Sequence, residues 1–183
     1  MLKIDIPETD GFDPNRNEFV TIKGQSLTLE HSLVSISKWE SKWHIPYLSP
    51  KQKTTEQVYD YIKCMTLTQN VNPDVYFCIP QTEMAKINEY IEDKMTATWF
   101  SEEEETKKKT PFGEVITSEI IYYWMISLGI PMECQKWHLN RLLTLIRVCG
   151  EKNKPAQKRS KKEIMDRNRK LNEARRKQHR TKG

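Results

Sequence analysis

The stretch from Ile116 to Cys149 constrains the fold more than any other part of this chain. It opens as Ile-Thr-Ser-Glu-Ile-Ile-Tyr-Tyr-Trp-Met-Ile-Ser-Leu, breaks at Gly129-Ile130-Pro131, and resumes as a second apolar segment reaching Cys149. Thr117 and Ser118 are N-cap residue types, and Glu119 suits the positive end of a helix dipole. Gly129 supplies a left-handed stop, with Pro131 just beyond it. Leu139, Leu142, Leu143, Ile146 and Cys149 then recur at helical spacing, with Glu133 early, Arg147 late and Gly150 as terminator. The pattern predicts a hairpin of two helices, the first apolar on nearly every face and therefore buried, with Trp124 in the core.

Around this hairpin, 183 residues suffice for one domain with a real core, or a domain plus a tail. The balance of 37% hydrophobic and 30% charged residues is that of a soluble protein. No apolar run approaches the length of a membrane span, and no signal peptide opens the sequence. The expectation is a protein without membrane association, in a cytoplasm. Cys64, Cys78, Cys134 and Cys149 show no paired spacing and are expected as reduced thiols.

The N-terminal region alternates with the two-residue period of strands. Leu2, Ile4 and Ile6 share one face of a segment ending at Pro7. Phe19–Ile22, a Lys23-Gly24-Gln25 turn and Leu27–Leu29 predict a hairpin, with Asp10-Gly11 and Asp13-Pro14-Asn15 as loop. From Ser32 the period becomes helical: Leu33, Ile36, Trp39 or Glu40, and Trp43 form a stripe broken by Pro46 and Pro50. Thr54 and Gln57 make a capping box for a second helix carrying Val58, Tyr61, Ile62 and Met65, ended by Asn70–Pro73. A third helix follows Thr82, with Met84, Ile87 and Ile91 as its apolar edge. Residues 93–115, with Glu102–Glu105 before Lys107–Lys109, predict an exposed connection with short strands around Thr96–Phe100 and Glu114–Ile116.

The net charge of +5 hides an asymmetry: residues 151–183 carry 14 Lys and Arg against 4 acids, leaving a mildly acidic body. After a linker containing Pro155, Ser160-Lys161-Lys162-Glu163 is a capping box. Glu163–Arg167, Asp166–Lys170 and Glu173–Lys177 are favourably ordered pairs four apart, contributing roughly 0.2–0.5 kcal/mol each. They predict a protruding basic helix over about 161–178. Residues 1–150 are thus read as a mainly helical globular domain and 151–183 as linker and basic helix. The fold class is α+β: mainly α, a helical bundle core with a small N-terminal antiparallel β element.

Catalytic constellations are scarce. Phosphate-loop, dinucleotide, nucleophile-elbow and His-Glu-x-x-His patterns are missing. Cys134 and His138 are four apart on a predicted helix, but a zinc site needs three or four ligands and no matching second pair lies near them in sequence, although His31, His44 and Cys64 could converge on them through folding. An ordinary surface pair is the preferred reading, so no catalytic, cofactor or metal residues are assigned and no cofactor is expected. Trp39 and Trp43, near Lys38 and Lys42, offer a face for stacking on bases, although such a stripe is more often core. In the basic tail, Lys158, Arg159, Lys161, Lys162, Ile164, Arg167, Arg169, Leu171, Arg175 and Arg176 are the candidate partner-binding residues. They serve either a protein partner docked on the thin Ile164–Leu171 stripe or the phosphates of a nucleic acid, the protein partner being preferred. A solubilising tail is the bland alternative.

Five stretches carry a resemblance: Leu29–Trp43, Asp60–Asn70, Ile116–Met125, Glu133–Arg147 and Ser160–Gln178. In them the chain resembles a family of small proteins encoded in the tail modules of long-tailed bacteriophages, taken to be tail assembly chaperones. The resemblance covers most of residues 27–80 and 115–183. It implies a non-enzymatic protein of the host cytoplasm that binds the tape-measure protein, with the tail-tube protein as a further partner, while the tail is assembled. A nucleic-acid-binding or structural virion accessory protein using the basic helix is the alternative. Oligomeric state is left open.

Overall fold

A computed structural model describes residues 1–13, 18–98, 115–153, 165, 168 and 169. The chain divides into two compact units, Met1–Cys149 and Gly150–Gly183. The first unit is mainly helical with a small antiparallel β element at its N-terminus, as the sequence predicts.

The strands are β1 (Leu2–Ile6), β2 (Thr9–Asp13), β3 (Glu18–Ile22) and β4 (Gln25–Leu29). The predicted hairpin between β3 and β4 does not form. β1 pairs with β4, and β2 with β3, in one continuous register: Leu2 opposite Leu29, Ile6 opposite Gln25, Thr9 opposite Ile22 and Asp13 opposite Glu18. Asp10-Gly11, expected as loop, is therefore strand. Gly24 marks an interruption in this long hairpin rather than its turn. A Cβ there would lie 2.8 Å from the Glu8 nitrogen and 2.9 Å from the Ile6 oxygen, so glycine is what lets the two backbones approach. Along β1 and β4 the alternation works as expected: Ile4, Ile6, Leu27 and Leu29 are buried.

Helix α1 (Leu33–Trp43) starts in a reciprocal box, Ser32 Oγ accepting the Ser35 N–H and Ser35 Oγ accepting the Ser32 N–H. It ends where His44 turns left-handed, φ 52°. Leu33, Ile36 and Trp39 are fully buried. Helix α2 (Thr55–Met65) begins at the predicted Thr54–Gln57 box, and stops at Met65, before the expected Asn70–Pro73. Its chain is captured early because Leu67 N–H donates to the Thr28 carbonyl, making Thr66 a bridge partner of Leu29. A 3-10 turn, Pro73–Cys78, precedes α3 (Gln81–Glu92), in which Ile87 and Tyr90 are buried. The expected strands flanking the Glu/Lys-rich connection are not seen at Thr96–Thr98 or Val115–Ile116; residues 99–114 lie outside the described ones.

Both helices of the predicted hairpin form, but they do not pack chiefly on each other, and each carries a correction. Helix α4 (Ser118–Ser127) ends at Gly129, whose φ of 65° is the left-handed stop. It is not buried all round: Ile121 and Met125 are buried, Trp124 is partly buried against the core, and Tyr123 and Ile126 are 66% and 70% exposed. Glu133 does not open the second helix but lies in a 3-10 turn, Met132–Lys136, followed by α5 (Leu139–Lys152). Gly150 does not terminate α5, which runs through it to Lys152, because nothing forces a left-handed residue there. Inward, α5 buries Leu139, Leu142 and Ile146.

Packing places α1 at the centre, against α2 and α4, with α3 on β1. Each fully buried aliphatic contributes about 1.5–3 kcal/mol of transfer free energy. Residues 28–32 tie the pieces together: Glu30 N–H donates to the Met65 carbonyl, and Leu139 N–H donates to the His31 carbonyl at 2.7 Å. Among the described residues no helix is long and apolar enough to cross a membrane.

Candidate binding surface

The feature of α4 that departs from its sequence pattern is its outward face. Glu119, Tyr123, Ile126 and Ser127 follow helical spacing and are all exposed, opposite the buried Ser118, Ile121 and Met125. Two large apolar side chains three residues apart on one exposed helical face are a contact-prone surface. Just past the Gly129 stop, Met132 is also exposed.

The helix is anchored beneath that face by hydrogen bonds to other elements. The buried Glu40 of α1 accepts the Ser118 N–H through Oε2 (2.8 Å) and the Tyr47 N–H through Oε1 (2.7 Å). Thr117, the predicted cap, makes no side-chain bond to the helix backbone, so Glu40 serves the N-terminus from another element. Glu119 has its carboxyl held below the usual range by its own backbone N–H, with the Thr117 and Ser118 hydroxyls adding to this. On the inner side, the Tyr122 hydroxyl donates to Gln135 Oε1 at 2.9 Å, joining α4 to the following 3-10 turn.

Of the candidate partner-binding residues, only Arg169 falls among the described ones. It is helical and exposed, as are Met165 and Asn168. Lys158, Arg159, Lys161, Lys162, Ile164, Arg167, Leu171, Arg175 and Arg176 lie outside the described residues.

The other candidates disperse into structural roles. Trp39 is fully buried, donating from Nε1 to the Gln57 carbonyl at 2.9 Å. Trp43 is half-buried and donates to Asp60 Oδ2 at 2.9 Å, while Lys42 pairs with the same carboxylate. That face is occupied by bonds within the chain. An exposed aromatic with a cation beside it occurs elsewhere: Phe77, 65% exposed, has Lys63 Nζ 5.2 Å from its ring centroid. Cys134 and His138 do not share a helix, since one lies in the 3-10 turn and the other precedes α5, and both are buried. Among the described residues no group of three or more His, Cys, Asp or Glu is arranged to hold a metal.

His138 belongs instead to a polar network that the sequence did not announce. Its Nε2 donates to the Tyr90 carbonyl (2.9 Å) and its Nδ1 accepts the Asn140 N–H (3.3 Å), which fixes the tautomer. His31 stands 5.0 Å away, centroid to centroid, and its Nδ1 shares a hydrogen bond with the Tyr61 hydroxyl. Burial, reinforced by His138, lowers the His31 pKa to about 3. Tyr90 donates to Glu30 Oε1 at 2.8 Å, and burial raises its hydroxyl well above the tyrosine range. The network is scattered over residues 30–140, so no local spacing reveals it. Exposure of Tyr123 and Ile126 was equally hidden, because a run apolar on every side carries no inward–outward contrast. No protein-family model matches this chain, and neither a curated protein nor a solved structure matches it.

Proposed function

We propose that this protein is a non-enzymatic tail assembly chaperone of a long-tailed bacteriophage, binding the tape-measure protein in the host cytoplasm while the tail is built. The observation that carries the reading is the exposed Tyr123–Ile126 face of α4. It lies on or just past the Ile116–Met125 stretch through which the chain resembles that family. A long helical client exposes apolar stripes before tail-tube subunits cover it, and an anchored helix bearing a tyrosine and an isoleucine is a suitable transient partner for such a stripe. The basic segment from Lys158 onward adds charge that complements acidic positions on the client.

The test is co-expression with the neighbouring tape-measure gene, followed by affinity recovery with and without nuclease. The client is expected in both halves, and Tyr123→Ser with Ile126→Ser should reduce its recovery by at least about tenfold, as removal of a central interface anchor does. Deleting residues 158–183 should weaken recovery further. Undiminished recovery with the double variant would reject the α4 surface. Recovery of nucleic acid alone, lost on nuclease treatment and falling steeply between about 50 and 200 mM salt, would favour a nucleic-acid-binding accessory protein instead.

A further inference from the structure

Between the segment after α1, α2 and α3 lies a cavity of about 190 Å³. Tyr47 and Tyr61, stacked with centroids 4.0 Å apart, stand beside Val58, Ile62, Ile87 and Ile91, and Lys53, Asn88 and Glu92 supply its polar lining. We propose that this cavity binds a carboxylate that carries one branched or aromatic hydrocarbon group.

Size decides the first half of that class. An apolar cavity of about 150 Å³ accommodates benzene, whereas sites for drug-sized ligands occupy about 300–1,000 Å³. Nucleotides and the larger cofactors are too big, and a hydrocarbon group the size of a leucine or phenylalanine side chain fits. The lining agrees, being aliphatic and aromatic apart from three polar residues.

Charge decides the second half. Lys53 Nζ lies 4.4 Å from the Tyr47 ring centroid and 6.0 Å from that of Trp39. Among the described residues no carboxylate stands within ion-pair distance of it. Burial lowers the pKa of this ammonium, as expected of a cation that is partly desolvated with only ring faces to compensate it. A ligand carboxylate bound in the cavity would give this ammonium a counter-ion. Glu92 is exposed, where water screens it, yet its charge on the same lining disfavours phosphates and dicarboxylates and so favours a single negative charge. Asn88, also exposed, has an amide that can donate to the second carboxylate oxygen.

The experiment is a methyl NMR titration of the full chain, following Ile62, Ile87 and Ile91, with 3-phenylpropionate, 4-methylpentanoate, acetate and 3-phenylpropanamide. The two larger acids should shift these methyls saturably with dissociation constants near or below about 1 mM, the range open to ligands of this size. Acetate should not, and the amide should bind about tenfold more weakly, as loss of one partly buried charge pair implies. Lys53→Met should weaken the acids about tenfold and leave the amide unchanged, while Lys53→Arg retains most of the acid binding. Val58→Phe, which fills the cavity from a half-buried position, should abolish both. Unfolding midpoints of each variant separate lost binding from lost folding. A peptide ending in a free C-terminal phenylalanine, against its amidated form, identifies the source. Tighter binding than 3-phenylpropionate assigns the carboxylate to a protein terminus, and weaker binding assigns it to a small acid. Absence of saturable shifts up to about 10 mM, or equal affinity for acid and amide, would overturn the proposal.

Discussion

Glu40 and Ser118 are 78 residues apart in sequence and are joined by a hydrogen bond of 2.8 Å, the carboxylate Oε2 accepting the first backbone N–H of α4. The same carboxylate accepts the Tyr47 N–H at 2.7 Å, and the residue is 8% exposed. Alanine at position 40 strands two backbone donors, one of them the start of a helix. Glu40→Ala should therefore lower unfolding stability by about 3 kcal/mol, against about 1 kcal/mol for Glu40→Gln, which keeps an acceptor. Urea midpoints measure both. Equal losses from the two variants would mean that the carboxylate does not act through these acceptors.

His31 sets an acid sensitivity whose direction follows from its environment. It is held neutral in the fold with a pKa near 3, against 6.5 when solvated. Below about pH 6.5 the unfolded chain takes up a proton that the folded chain refuses, so stability contributed by the neutral ring is complete above that pH. It is lost as pH falls from about 6.5 towards 3, at up to about 1.4 kcal/mol per pH unit. Equilibrium unfolding at pH 7 and 5 should thus differ by about 2 kcal/mol more in the native chain than in His31→Gln, which keeps a polar group near Tyr61 without the titration. Parallel pH profiles for the two proteins would exclude His31 as the source.

What the sequence revealed and what it hid divide along range. The Thr54–Gln57 box, the Ser32 start of α1 and the Gly129 stop are local signals, each decided within four residues, and each is present in the fold. Glu40 occupies the same helical stripe as Trp39, and nothing in that periodicity distinguishes a core tryptophan from a buried acid whose partners lie 7 and 78 residues away. Lys23-Gly24-Gln25 has the composition of a turn between two apolar runs; its fate was settled by β1, which pairs with β4 and leaves Gly24 against Glu8 and Ile6. The exposed Tyr123 and Ile126 looked like core because burial on α4 is set by what α1 leaves uncovered. In each of these cases the deciding contact is long-range.

The tryptophans of α1 test the same division. Trp39 is fully buried and gives its indole N–H to the Gln57 carbonyl, whereas Trp43 is half-buried and bonds a carboxylate that Lys42 also engages. Trp39→Phe leaves a void and removes one of the two donors to a buried helix carbonyl, for an expected loss of about 2–3 kcal/mol. Trp43→Phe should cost about 1 kcal/mol, since the indole is only half-buried and Lys42 still holds Asp60. Thermal or urea unfolding ranks the two. A larger loss at position 43 would place the centre of the α1–α2 packing nearer the end of the helix than Trp39.

The two glycines at 24 and 150 predict effects of opposite sign for the same substitution. At Gly24 an added methyl meets backbone atoms of Glu8 and Ile6 at 2.8 and 2.9 Å, and neither can yield without moving a strand. Gly24→Ala should destabilise by about 1–3 kcal/mol, the usual cost of overpacking, and should reduce amide protection in β1 and β4 before it affects α2. Gly150 lies within α5 and does not take a positive φ, and a methyl added there would meet nothing within 4 Å. There Gly150→Ala restricts the unfolded chain and favours the helix, so stability should rise by about 0.5–1 kcal/mol. A neutral or stabilising Gly24→Ala would show that β1 and β4 can separate at this point without cost. A destabilising Gly150→Ala would show that position 150 needs the freedom of glycine, which a helix continuing to Lys152 does not.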